Sequence, residues 1–360
     1  MLVTSLKNSS NKPIGVIGAG HFGSVIANIL AQHNQVLLYA RSEEVVKDIR
    51  DNHENRGQII HHNVTATDNL SQIASRCDVI FPIIPSSNFR AMMRELSPYL
   101  HPYHIVIHGT KGFDVTLPKG KTLQSIKTLS REQVKTMSEV IREESVVVRI
   151  GCLAGPNLAK ELMQQQPAAT VIASPFNEVI QTGKRLLRND RFQVYENHDL
   201  IGVELAGVLK NIIAIASGAL SGLGYGENAK GLLISRGAVE MVYLGKALGG
   251  NTSAFLGLAG IGDLVATCNS PTSRNFTVGN RLAKGETLAS ILDDMDEVAE
   301  GVNTVQIVKK CADFYKVRAL ITENIYRVLF EGQTVQTALD YLMRYPMNLD
   351  IDFLDQPKDK

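Results

Sequence analysis

The sequence carries no surplus of charge of either sign: 37 lysines and arginines stand against 36 aspartates and glutamates, a net +1 over 360 residues. A protein that binds duplex nucleic acid displaces counterions with a basic patch, and no long basic run occurs. That argues against a nucleic-acid partner, and any phosphate held is expected to be small and gripped by a few placed groups. No stretch approaches the ~20 unbroken apolar residues that span a bilayer, so no membrane insertion is expected. The opening Met1-Leu2-Val3-Thr4-Ser5-Leu6-Lys7 has no apolar secretory stretch, and Asn8-Ser9-Ser10-Asn11 reads as a solvated lead-in. Cysteine is scarce. Cys77, Cys152, Cys268 and Cys311 lie far apart, without a Cys-x-x-Cys or any metal-type spacing. No metal site is expected, and buried thiols in a reducing cytoplasm are favoured over a disulfide framework.

What is present is ordinary for globular cores: 44% hydrophobic and 20% charged residues. The length is about twice that of a typical domain of roughly 150 residues, which predicts two domains. We expect a disordered lead-in over 1–12, a first domain over 13–197, a helical second domain over 198–350, and a polar tail over 351–360.

The first domain announces itself early. Ile14-Gly15-Val16-Ile17 reads as a buried parallel strand and runs into Gly18-Ala19-Gly20-His21-Phe22-Gly23. Ser24 to Gln32 is helix-forming, and Gln35-Val36-Leu37-Leu38-Tyr39 closes a βαβ unit of about thirty residues. In this frame Gly18 permits the tight turn, Gly20 lets the backbone approach a pyrophosphate, and Gly23 brings helix and strand together. Free N–H groups at the helix start then face the anion. The end of the second strand governs cofactor choice. An Asp or Glu there holds the ribose 2′-OH of NAD, but Tyr39-Ala40-Arg41-Ser42 has no carboxylate before Glu43. Arg41 is either a 2′-phosphate partner or a solvated surface arginine, and NADP, or both cofactors, is favoured over strict NAD.

Further strands are expected over Asp78–Ser86, with Pro82 arguing for a distortion or an edge, and over Ile105–His108 and Val146–Ile150. Ala168–Ser174 and Arg191–Tyr195 complete the set. Ligands collect beyond the carboxyl ends of strands in open α/β sheets, where Ser86, Lys111 and Asn157 fall.

After Asn197-His198 the strand signals stop. Val203 to Ala216 is apolar on nearly every face, the mark of a buried helix, yet Lys210 sits in its middle. Its neighbours one turn away, Ala206, Gly207, Ile213 and Ala214, are mostly small. Such a lysine can snorkel outward, pair with a carboxylate or act in chemistry, with desolvation lowering its pKa toward acid/base work. Glu204 is six residues away on a different face, so a local ion pair does not explain it. In Phe255-Leu256-Gly257-Leu258-Ala259-Gly260-Ile261-Gly262-Asp263-Leu264 the glycines make a sharp turn that presents Asp263, either as a helix cap or as a functional carboxylate. Ser270-Pro271 reads as an N-cap followed by proline at the first helical position. That leaves Ser273, Arg274 and Asn275 in the first turn, where an anion is favoured. Arg274 is then a phosphate clamp or a solvated arginine.

Taken together, these segments resemble the NAD(P)-dependent glycerol-3-phosphate dehydrogenases, the bacterial biosynthetic kind especially, from about Ile14 to Arg344. The matching runs include Gly18–Gly23, Ile84-Pro85-Ser86, Lys111-Gly112, Gly155-Pro156-Asn157-Leu158-Ala159-Lys160-Glu161 and Leu209-Lys210-Asn211. Gly224-Tyr225-Gly226-Glu227-Asn228, Ser235-Arg236-Gly237, Gly260-Ile261-Gly262-Asp263-Leu264, Ser273-Arg274-Asn275 and Val298-Ala299-Glu300-Gly301 continue the series. The resemblance implies an α/β Rossmann-type domain followed by an all-α domain like that of 6-phosphogluconate dehydrogenase, and a homodimer. The implied reaction is a reversible hydride transfer between NAD(P)H and dihydroxyacetone phosphate, giving sn-glycerol 3-phosphate for phospholipid synthesis. It implies Lys210 as the proton-transferring residue, with Lys111 and Asp263 beside it. Substrate contacts would come from Lys111, Gly155, Asn157, Lys210, Asp263, Ser273, Arg274 and Asn275. The cofactor would be lined by Gly18, Gly20, His21, Phe22, Gly23, Arg41, Lys111, Ala159, Arg274, Val298 and Glu300.

The chain departs from the family pattern at three places. His21-Phe22 stands where bacterial members often have Ser-Trp, and Asn157 where many have Ser or Thr. Asn55-Arg56-Gly57-Gln58-Ile59-Ile60-His61-His62 lacks the usual Leu-Pro-Gly. The rival readings are a β-hydroxyacid or 6-phosphogluconate dehydrogenase, which binds a carboxylate and lacks the glycine-rich turn before Asp263, and a catalytically silent NADP sensor, which has no reason to bury Lys210 near Asp263.

Overall fold

Short apolar runs, covered on both faces in the central strands and on one face at the Phe192–Asn197 edge, build the centre of the protein. Ile14–Ile17 (β1), Val36–Tyr39 (β2), Val64–Thr67 (β3), Val79–Pro82 (β4), Ile105–His108 (β5), Arg149–Ala154 (β6), Ala168–Ala173 (β7) and Phe192–Asn197 (β8) form one sheet. Its order in space is β8-β7-β6-β5-β4-β1-β2-β3. The six strands from β1 to β6 are parallel; β7 runs antiparallel to β6, and β8 is parallel to β7. The 3-2-1-4-5-6 order of the first six reverses between β1 and β4, which opens a crevice beyond their carboxyl ends. The computed structural model describes residues 12–295 and 298–345. The expected polar tail, the last residues of the helical domain and all but residue 12 of the lead-in lie outside the described residues.

Two strand expectations need correction. Pro82 lies neither at an edge nor at a distortion, since β4 sits between β1 and β5. A proline disturbs a ladder only where its N–H is needed, and Pro82 ends its strand. Its carbonyl accepts the Gly109 N–H at 3.0 Å, and the next N–H, that of Ile83, reaches the Ile17 carbonyl at 2.7 Å. The strand expected over 146–150 starts at Arg149 instead and runs on to Ala154, leaving Val146 and Val148 exposed. Gly151, one residue past the expected strand, lies inside the observed one. A Cβ there would come within 2.8 Å of Val179 Cγ1, on the helix Asn177–Leu187, so the glycine marks a close helix–strand approach.

Leu200–Gly222 (α4) runs through the helical part as a core helix. Asp199 caps it by accepting the Gly202 N–H at 2.9 Å. Among the described residues it is the one helix long and apolar enough to cross a membrane, and 94% of that window is buried inside the protein. The helices that meet the sheet or α4 at the cleft are His21–Ala31 (α1), Ser86–Leu96 (α2), Met137–Glu144 (α3), Asp263–Cys268 (α5), Arg274–Ala283 (α6) and Glu300–Tyr315 (α7). One apolar cluster continues from Ile17 and Val106 of the sheet through Leu209 and Ile213 of α4 to Val305 and Leu329. Residues 116–133 cross from the sheet domain onto the helices. Leu129 is fully buried and donates its N–H to the Lys310 carbonyl at 3.1 Å, while Arg131 Nε reaches the Leu248 carbonyl at 2.9 Å.

Candidate active site

The turn between β1 and α1 has no room for side chains. Gly18 has φ +115°, and a Cβ on it would lie 2.2 Å from the Ile83 carbonyl oxygen; one on Gly23 would lie 1.8 Å from the Gly18 oxygen. Gly20 occupies the N-cap of α1 and supplies no side-chain cap, so the first N–H groups of α1 are left for an anion. The hairpin Glu54–Asn55/Gln58–Ile59 occupies the segment that departs from the family pattern. Buried Asn55 ties it to the turn, donating to the Ala19 carbonyl at 2.8 Å and to Ser24 Oγ at 2.9 Å. Nothing in the local sequence pattern singled out Asn55, because its partners are more than thirty residues away.

A cleft of about 1540 Å³ follows this turn into the helical part. Gly18, Gly20, His21, Phe22, Gly23, Arg41, Lys111, Asn157 and Ala159 line it from the sheet side. Lys210, Asp263, Ser273, Arg274, Asn275, Val298 and Glu300 line it from the helical side. Gly155 does not reach the wall; it acts through its carbonyl, which accepts from Lys111 Nζ at 3.3 Å. At the end of β2 the wall takes Tyr39, Ala40, Arg41, Ser42 and Val45 from the strand and its loop, and Glu95 of α2 lines the same cleft nearby. The glycine cradle, the helix start without a side-chain cap and Arg41 on the cleft wall fit a nicotinamide dinucleotide with or without a 2′-phosphate.

Where the two halves meet, two lysines share one carboxylate. Lys210 Nζ, on α4, donates to Asp263 Oδ1 at 2.8 Å, and Lys111 Nζ, just beyond β5, donates to Asp263 Oδ2 at 2.6 Å. The stem of Lys111 runs past Gly207, where a Cβ would touch its Cδ and Cε at 3.8 Å. Burial pushes the Lys210 ammonium down, Asp263 pulls it back up and Lys111 adds repulsion, for a net value of about 8. Burial alone would raise the Asp263 carboxyl, but Lys111 and Lys210 together hold it below its usual range. Asp263 opens α5 directly after a π-helical turn, Leu258–Gly262, and makes no capping hydrogen bond, so the reading of it as a cap falls. Thr267, one turn further along α5, accepts a hydrogen bond from Lys210 and donates to the Asp263 carbonyl at 2.6 Å. The sequence reading missed Thr267, although its i+4 spacing from Asp263 was available.

The far wall is the start of α6. The expected Ser270 N-cap is a correction: Ser270 and Pro271 lie in a turn, and Ser273 caps the helix by accepting the Phe276 N–H. Arg274 and Asn275 remain in its first turn. Arg274 Nη1 donates to the Val298 carbonyl at 2.9 Å, which joins two of the expected residues. Asn275 Oδ1 accepts the Gly301 N–H at 3.0 Å and so fixes the start of α7. Glu300, the first residue of α7, takes the Ser86 N–H at 2.8 Å and the Ser86 hydroxyl at 2.6 Å, clasping the two halves together. The Asn157 amide donates to the Ala169 carbonyl at 3.0 Å and accepts from Thr170 at 2.8 Å, leaving one amide hydrogen for a ligand.

A doubly wound sheet with this glycine turn, facing a helical wall with a buried lysine–carboxylate pair, defines a two-domain nicotinamide-dependent dehydrogenase. Sequence models of the N-terminal and C-terminal regions of NAD-dependent glycerol-3-phosphate dehydrogenase match residues 13–180 and 199–340. The chain belongs to the NAD(P)-dependent glycerol-3-phosphate dehydrogenase family. It is 38% identical over 344 residues to the glycerol-3-phosphate dehydrogenase (NAD(P)+) of Teredinibacter turnerae, covering 94% of this chain and 96% of that one. The enzyme of that name from Pseudomonas aeruginosa is 36% identical over 351 residues, covering 96% and 98%. A crystal structure of glycerol-3-phosphate dehydrogenase from Coxiella burnetii superposes with a TM-score of 0.81 at 30% identity, covering 93% of this chain and 99% of that one. A ketopantoate reductase from Ralstonia eutropha, at 13% identity and a TM-score of 0.56, shares the fold.

Proposed function

We propose that the protein reduces dihydroxyacetone phosphate reversibly to sn-glycerol 3-phosphate with NADPH or NADH, supplying glycerophospholipid synthesis. The observation that carries this reading is Asp263 held between the ammonium groups of Lys210 and Lys111, on a cleft continuous with the glycine turn. A nicotinamide held in this cleft would supply the hydride for the ketone carbon. Lys210 Nζ gives its proton to the ketone oxygen, and Lys111 places a fixed positive charge beside the same oxygen. Asp263 orients both amines, and the Gly155 carbonyl holds Lys111. Ser273, Arg274 and Asn275 grip the phosphate at the start of α6, so binding energy remote from the carbonyl orients it. Asn157 offers its remaining amide hydrogen to a substrate hydroxyl. Gly18, Gly20, His21, Phe22 and Gly23 hold the pyrophosphate, Arg41 pairs with a 2′-phosphate, and Ala159, Val298 and Glu300 line the rest of the cofactor.

We also place the division between the two domains at Asn197–His198, where β8 ends and α4 soon begins. A cytoplasmic homodimer is part of the same proposal. The four cysteines, all buried and unpaired, suit a reducing compartment, and pairing follows from the family resemblance. Initial rates with dihydroxyacetone phosphate, comparing NADH with NADPH, test the reading. Turnover with both and a preference for NADPH is expected; no oxidation of either cofactor overturns it. Arg274→Ala is expected to raise KM for the phosphorylated substrate by the equivalent of about 1.5–3 kcal/mol, the worth of a hydrogen bond to a charged group.

A further inference from the structure

We propose that His108 and Glu204 form a buried positioning pair that sets how Lys111 and Lys210 are spaced across Asp263. The proposal rests on the reading of Lys210 as the proton donor. His108 ends β5, three residues before Lys111, and Glu204 lies on α4, six residues before Lys210. His108 Nε2 is 2.9 Å from Glu204 Oε1, with side-chain exposures of 1% and 3%. The imidazole lies against the carboxylate within contact distance, and through that contact His108 stabilises the ionised Glu204. Ser138 of α3 fixes the carboxylate, its N–H reaching Oε1 at 2.9 Å and its hydroxyl Oε2 at 2.5 Å. Phe89 of α2 packs edge-on against the imidazole, ring centroids 5.9 Å apart. Burial works to raise the Glu204 carboxyl, but His108 and the two Ser138 donors override it and hold it below its ordinary range.

Geometry gives this pair its consequence. Three residues lead from His108 to Lys111, a reach of at most roughly 10 Å, and six helical residues from Glu204 to Lys210 rise about 9 Å. The His108–Glu204 contact and the Lys111–Asp263–Lys210 cluster are therefore two rungs between the same strand end and the same helix. With the first rung fixed, α4 cannot slide along the end of β5, because sliding would strand an ionised carboxylate in the core. Glu204 also takes the Ser138 N–H in the first turn of α3, a donor that the Thr136–Glu139 capping pair leaves free, so one carboxylate ties α3, α4 and the end of β5 together.

The test uses Glu204→Gln, which keeps the volume and an acceptor for Ser138, and Ser138→Ala, which loosens Glu204 without touching either charge. Glu240→Gln serves as the control. Glu240 is an equally buried carboxylate that accepts from Ile321 and Thr322 at the start of another helix, away from the cleft. In Glu204→Gln, kcat for dihydroxyacetone phosphate reduction is expected to fall about 10- to 100-fold, as for a misplacement on the order of an ångström, with KM near its original value. The pH above which reduction declines should also rise, because a displaced Lys111 no longer repels Lys210 or shares Asp263. Ser138→Ala should change both in the same direction and carries the test if Glu204→Gln does not fold. Unchanged kcat and pH profile in a folded variant overturns the proposal, and so does an equal loss of kcat in Glu240→Gln. Failure of the unsubstituted protein to reduce the ketone would instead overturn the functional reading itself.

Discussion

At Lys210, burial removes the ammonium from water, and Asp263 restores only part of that stabilisation, so its pKa is pushed down to about 8. Reduction needs the charged amine and oxidation the neutral one. The rate of reduction is therefore expected to hold below that pH and fall above it, while oxidation rises through the same region; pH profiles of kcat in both directions check this. Lys210→Ala should lower kcat by roughly 10²–10⁴-fold, the usual worth of general acid/base assistance, and a near-original kcat would remove Lys210 from the chemistry. In Asp263→Asn the group that raises the Lys210 pKa is gone, so the decline of reduction should shift to lower pH. Lys210 was legible in the sequence because a lone charge among small apolar neighbours has few explanations. Thr267 and Asn55 were not, since a buried hydroxyl or amide announces nothing until its partners are in place.

Among the helices, the approach of α6 to α4 decides where Ser273, Arg274 and Asn275 stand. A Cβ on Gly279 would lie 1.8 Å from the Ile215 carbonyl oxygen, and one on Gly218 would lie 1.9 Å from that of Phe276. The two backbones are in contact with nothing between them. Gly279→Ala must push α6 away, which is expected to destabilise by about 1–3 kcal/mol and to raise KM for the phosphorylated substrate together. Urea unfolding and steady-state rates on the same preparation check the pair of effects. Elements with strong periodicity or a glycine signature, such as β1, α1, α4 and β5, were readable from the chain. The start of β6 and the cap of α6 were not. Val146 and Val148 look like strand but find no covering layer, and Ser270 was the wrong serine because Ser273 alone meets the Phe276 N–H.

For the molecule as a whole, one apolar cluster runs from the sheet through α4 and the segment 116–133 crosses between the halves, so the two are expected to unfold as one body. Leu129→Ala is expected to cost about 2–5 kcal/mol, as for other buried leucines. It should shift a single unfolding transition rather than split it, which circular dichroism and intrinsic tyrosine fluorescence followed together would show. Local pattern determined that this chain folds around a dinucleotide-type glycine turn, follows it with a buried helix bearing one lysine, and presents an aspartate after a run of glycines. It did so because turns, helix faces and steric demands on glycine are properties of neighbouring residues. Only the tertiary structure decided that Asp263 lies between two lysines separated by about a hundred positions, that Glu300 clasps Ser86, and that a histidine–glutamate contact braces the strand against the helix. Those pairings depend on how desolvated charges find partners across a closed core, and no local stretch of sequence encodes that.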